Sequence, residues 1–112
     1  HNECSYFNEL ILVEDLKKRT EQFLLRSDVF LALPGGIGTL FEVVEIFNKR
    51  VLGETSKKLF IINDFNYWNP LKNLLEHMIK ENFLDKKTVL KNIEFINFCE
   101  VKERLDDVQN SG

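Results

Sequence analysis

Apolar residues run along this chain in two rhythms. Continuous apolar stretches at residues 9–13 (Leu10, Ile11, Leu12, Val13), 29–33, 58–63 (Leu59, Phe60, Ile61, Ile62) and 93–98 have the character of strands covered on both faces, which implies parallel pairing. Between them, apolar positions recur three or four apart. Asp15 suits an N-cap, and Leu16, Phe23 and Leu24 lie near one face of a helix ending close to Ser27. Leu40, Val43, Val44, Phe47 and Val51 predict a second helix running to about Leu52, with Gly53 as its stop. Phe41 and Ile46 fall outside that stripe and predict a second apolar surface on the same helix. Asn69-Pro70 reads as an N-cap followed by Pro at N1, opening a helix that carries Leu71, Leu74, Leu75, Met78 and Ile79. A short helix over 85–91, a charged terminal helix over 100–108 and a frayed tail complete the pattern. Strands alternating with helices predict an α/β fold, a Rossmann-like parallel sheet with flanking helices.

One strand-to-helix joint stands out. In Leu33-Pro34-Gly35-Gly36-Ile37-Gly38-Thr39-Leu40-Phe41-Glu42 the glycines let a ligand approach bare backbone, and the first helical turn offers unpaired N–H groups to an anion. A phosphate is the natural guest. Pro34 cannot donate to a sheet ladder and closes the strand, while Thr39 supplies a hydroxyl either as helix cap or as phosphate ligand. Thr39 and Glu42 also fit a capping box, in which case Glu42 is structural. In a parallel sheet ligands bind along the edge where the strands end. Arg19 and Glu42 both follow such ends, and if strands 9–13 and 29–33 are neighbours they face each other beside the glycine turn. Arg19 is equally placed to pair with Asp15 at i,i+4 on the helix surface.

Composition narrows the choice of function. With 112 residues, 44% of them hydrophobic and ten Phe, the chain supports one packed domain. A net charge of −3 and a pI near 5.4 argue against a general nucleic-acid binder, and Lys86, Lys87 and Lys91 read as a solvated face. Cys4 and Cys99 stand far apart without metal-ligand spacing, so both read as reduced thiols, Cys99 buried. Met78 reads as core filler and His77 as a helix-face residue. No apolar run reaches transmembrane length and the first residues lack a signal-peptide pattern, so a cytoplasmic protein without membrane partners is expected. The chain starts at His1 with no earlier glycine-rich turn, and reads as the later part of a longer domain.

The PGGxGTxxE string at residues 34–42 resembles the signature of the LOG family, the cytokinin riboside 5′-monophosphate phosphoribohydrolases long labelled lysine decarboxylases. The resemblance extends to Asn8-Glu9-Leu10, to Asp15-Leu16-Lys17-Lys18-Arg19-Thr20, to Ser27–Leu33 before the motif, and to Leu52-Gly53, Tyr67-Trp68-Asn69-Pro70-Leu71 and Asn82-Phe83 after it. It implies that Gly35, Gly36, Gly38 and Thr39 hold a nucleotide 5′-phosphate, that Arg19 and Glu42 are the catalytic pair, and that Glu45 holds the ribose or stabilises charge. Cleaving an N-glycosidic bond builds positive charge on the ribose, which a carboxylate stabilises, while an arginine orients phosphate bidentately.

The implied protein is a homodimer acting on a small-molecule nucleotide, with no metal or organic cofactor. Lys17 stands for the family's usual His, Thr20 for its Lys, Ile37 for a common Tyr, and Lys49-Arg50-Val51 for a frequent W-A-Q. The family's further N-terminal β-α units have no counterpart. A nucleotide- or molybdenum-cofactor-binding carrier on the same scaffold is the alternative, against which the pairing of Arg19 with Glu42 favours an enzyme. DNA-processing proteins with a similar core are opposed by the acidic balance.

Overall fold

The computed structural model describes residues 29–105. The strand expected at 9–13, the helix after it, Arg19, Cys4 and everything past 105 lie outside the described residues. Three of the apolar runs become strands β1 (Val29–Ala32), β2 (Lys58–Ile62) and β3 (Glu94–Ile96). They form a single three-stranded sheet in the order β1-β2-β3, with both pairings parallel. Helix α1 (Ile37–Val51) carries the chain from β1 to β2, and α2 (Asn69–Lys80) with α3 (Lys86–Asn92) carries it from β2 to β3. This is the expected α/β architecture, a Rossmann-like parallel sheet with flanking helices.

The two-residue period of the strands divides the core into two layers. On one face Val29, Phe60, Ile62 and Ile96 pack with Val101 and Leu105, which belong to a helical segment over residues 101–105. On the other, Ala32, Leu59 and Ile61 pack with Val43 of α1, Trp68 and Ile93. Register makes the layers continuous, because Phe30 pairs with Leu59, Ala32 with Ile61 and Ile62 with Ile96. A Glu94–Arg104 ion pair ties β3 to the segment beneath it.

The strands are shorter than the apolar runs for local reasons. Leu33 leaves β1 and is exposed, since Pro34 follows with no N–H to give. Ile93 ends α3 instead of starting β3, its N–H donating to the Val89 carbonyl. At the far end Asn97 opens a 3-10 turn (Phe98–Glu100) through a capping box, Glu100 Oε1 accepting from the Asn97 N–H at 2.8 Å.

Helix α1 is turned relative to the expected stripe. Val43 is buried, and Leu40, Ile46 and Phe47 pack against the same layer, so Ile46 belongs to the core. Val44 and Val51 instead face outward with Ile37 and Phe41. Arg50 has a tertiary reason to lie on the sheet side. Its Nη1 donates to the Lys57 carbonyl at 2.8 Å and its Nη2 to the Lys91 carbonyl at 3.3 Å, joining α1 to the start of β2 and to α3.

Both long helices end in a Schellman turn. Gly53 (φ 74) follows α1, with the Glu54 N–H donating to Lys49 O and the Gly53 N–H to Arg50 O. Asn82 (φ 67) does the same after α2, with the Phe83 N–H donating to Met78 O. This explains Asn82 standing where the family has Gly, since Asn tolerates the left-handed region better than most residues.

Three further expectations are corrected. Trp68, not Asn69, is the N-cap of α2, and the Asn69 side chain instead accepts from Asn63 Nδ2 at 2.8 Å. Met78 is only half-buried, because α2 buries no residue completely. Cys99 is half-buried and disulfide-bonded, not a buried free thiol. Among the described residues no helix is long and apolar enough to cross a membrane.

Candidate functional site

Two loops leave the same edge of the sheet, one after β1 and one after β2. The first is the glycine turn. Helix α1 begins at Ile37 with Gly36 as its N-cap, and no side chain caps it. The first turn therefore keeps the amide donors that a capping side chain would otherwise occupy. A Cβ at Gly36 or Gly38 would meet no atom of the described residues within 4 Å, so there is room beside these two positions. Gly35 is different, because a Cβ there would lie 2.6 Å from Thr39 Oγ1. Its glycine lets Thr39, third residue of α1, fold back over the turn.

This geometry excludes the capping-box reading of Thr39 and Glu42. The helix starts two residues before Thr39, so the capping box is not formed. Glu42 sits in the second turn, not the first, and is exposed with no hydrogen-bonding or charged partner among the described residues. Glu45 lies one turn on, 3.5 Å from Lys49 Nζ in an i,i+4 pair. Both carboxylates border a depression of about 280 Å³ shared with Lys49, Glu54 and Lys57. Glycine turn and carboxylates thus lie on one helix, while Arg19 lies outside the described residues.

The second loop is held by side chains. Asn63 Oδ1 accepts from the Trp68 N–H at 2.6 Å, and Asp64 Oδ1 accepts from the Phe98 N–H at 2.6 Å. Backbone bonds from Asn66 N–H to Asn63 O and from Tyr67 N–H to Asp64 O close a tight turn. Inside it, Phe65 (φ 59, ψ 20) and Asn66 (φ 59) both adopt the left-handed conformation. Tyr67 Oη then donates to the Gly35 carbonyl, tying this loop to the glycine turn. Sequence reasoning passed over residues 63–66 as a polar loop. The available signal was the Asn-Asp-x-Asn cluster after a strand, which marks a turn with left-handed positions.

A larger apolar groove of about 600 Å³ runs between α1 and α2, lined among others by Leu40, Val44, Trp68, Leu71 and Leu74. It continues onto the outward Ile37 and Phe41, the latter 64% exposed. Among the described residues no group of three or more His, Cys, Asp or Glu side chains is arranged to hold a metal ion.

Comparison with known proteins places the chain in a family. The sequence model of the family described as "possible lysine decarboxylase" matches residues 2–105. The chain belongs to this family. Curated relatives of this lysine-decarboxylase-like, or LOG, type include the cytokinin riboside 5′-monophosphate phosphoribohydrolase of Rhodococcoides fascians, 36% identical over 91 residues covering 77% of this chain and 46% of the relative. A probable enzyme of the same name from Oryza sativa subsp. japonica is 36% identical over 68% of this chain and 31% of its own length. One from Arabidopsis thaliana is 34% identical over 68% of this chain and 36% of its own. The chain thus spans between about a third and a half of the LOG relatives it matches.

Proposed function

We propose that this LOG-family chain hydrolyses the N-glycosidic bond of a nucleoside 5′-monophosphate, releasing the free base and ribose 5-phosphate. The observation that carries the reading is the uncapped, open start of α1, with a carboxylate on the same helix that has no partner among the described residues, in a chain of this family. The 5′-phosphate would accept from the amides at Gly36 and Gly38 and from the Thr39 hydroxyl, with Gly35 keeping the turn tight. Glu42 would face the ribose, stabilising positive charge at C1′ and orienting the attacking water. Water supplies hydroxyl to C1′ and a proton to the departing base, so no other reactant is needed. Glu45 would hold the ribose, and Arg19 would complete the pair by orienting the phosphate. Adenine nucleotides are the proposed substrates, and the names of the relatives support a nucleotide of the cytokinin riboside monophosphate type.

A homodimer is part of the proposal. Ile37, Phe41 and Val44 form an outward apolar face on α1 beside the groove, which a second copy would cover. Sedimentation should show a dimer that Phe41→Glu converts to monomer.

The deciding experiment follows base release by chromatography after incubation with AMP and with an N6-prenylated analogue, beside Glu42→Gln. Release by the parent chain and none by the variant, with AMP still bound, supports the hydrolase. Binding of AMP without release by the parent chain would favour a carrier.

A further inference from the structure

From the loop after β2 we infer that Phe65 is the platform on which the base of the nucleotide stacks. The inference rests on the reading of the glycine turn as a phosphate site, and adds a subsite for the opposite end of the same ligand.

The first observation is exposure. Phe65 is 97% exposed, so its ring makes almost no contact that would hold it within the fold. A phenyl ring in water gives up the burial that ordinarily stabilises an aromatic side chain.

The second is strain held from outside. A bulky residue in the left-handed region is an outlier, and here two consecutive non-glycine residues adopt it. Phe65 contributes nothing to holding that backbone. Asn63 and Asp64 do, through the bonds to Trp68 and Phe98, and the turn closes on the Asn63 and Asp64 carbonyls. A polar network therefore keeps an unfavourable backbone in place, and its visible product is a ring projected into solvent.

The third is position. Ala32 pairs with Ile61 across the sheet, and Gly36 and Phe65 each stand four residues beyond that pair, 32 to 36 and 61 to 65. Both are on the ligand-binding edge of a parallel sheet. Tyr67, two residues after Phe65, donates to the carbonyl of Gly35, one residue before Gly36. The two loops are thus coupled, and the loop beside the glycine turn carries an exposed aromatic ring. Base stacking on such a face tolerates any base, because every base has a π surface.

The test compares AMP with ribose 5-phosphate, which has the phosphate and sugar but no base. Dissociation constants of both are measured for the full chain and for Phe65→Ala, Phe65→Gly and Phe65→Tyr, with sedimentation on each. Phe65→Gly suits the left-handed backbone, so it removes the ring without loosening the turn. Phe65→Ala and Phe65→Gly should weaken AMP by about tenfold or more, the usual worth of one base–aromatic stack. Ribose 5-phosphate affinity and oligomeric state should not change, and Phe65→Tyr should bind AMP as the parent does.

Unchanged AMP affinity in Phe65→Gly overturns the inference. Equal weakening of both ligands also overturns it, since the loop would then act through the phosphate site. A shift in sedimentation would make the ring a subunit contact and overturn it too. Failure of the parent chain to bind either ligand would instead reject the phosphate site, and this inference with it.

Discussion

The two loops at the sheet edge solve opposite problems. The turn after β1 leaves its amides bare and holds its shape with glycine, so side chains neither fill nor cap it. The turn after β2 contains no glycine, adopts left-handed backbone at Phe65 and Asn66, and is fixed by side-chain hydrogen bonds. One loop thus leaves its polar groups open, and the other ties its own together. The comparison teaches that substitutions in the first should act on ligand more than on stability, and those of the hydrogen-bonding side chains in the second on stability first.

The largest expected effect is at Glu42. Glu42→Gln should slow base release by about 10²–10⁴-fold, the usual range for a positioned acid–base group, while the thermal midpoint stays at the parent value. A matching loss of thermal stability would show that Glu42 is structural and would break the comparison at its first member.

Asn63→Ala comes next. It removes the acceptor of the Trp68 N–H and the donor to Asn69, and should destabilise the chain by about 1–3 kcal/mol in denaturant unfolding. Unchanged stability would mean that the second loop does not depend on its network. Smaller again is Gly36→Ser, where a hydroxyl at the N-cap would compete for the open amides. AMP affinity should fall by about tenfold, in line with hydrogen bonds to a charged group, while stability rises by a few tenths of a kcal/mol. The least effect is expected at Asn66→Gly, where relief of left-handed strain and added chain entropy nearly offset, for a net gain of about half a kcal/mol at most.

The apolar runs were legible in the sequence because a strand covered on both faces needs little besides apolar side chains. β1, β2 and α1 to α3 lie within a residue or two of where the pattern puts them. β3 was overextended, since Ile93 is apolar but serves as the end of α3. The stripe on α1 was misread for a related reason. Val44 and Val51 are as apolar as Ile46, and spacing alone could not show that Arg50 reaches the Lys57 and Lys91 carbonyls and so belongs on the inner side.

The glycine turn was equally legible, because it is a contiguous motif in which a Cβ at Gly35 would collide with Thr39. Its chemistry was not. Thr39-x-x-Glu42 satisfied a capping-box pattern and a ligand-site pattern together, and the start of α1 at Ile37 removes the capping box.

By itself, then, the sequence determined the fold class, the glycine turn and the membership of a family, all of which rest on local periodicity or on a contiguous motif. The tertiary structure decided which face of α1 is buried, where the helix begins, and that the loop after β2 reaches Gly35 through Tyr67. The first and last of these depend on partners 7 to 41 residues away in the chain, which no local pattern encodes.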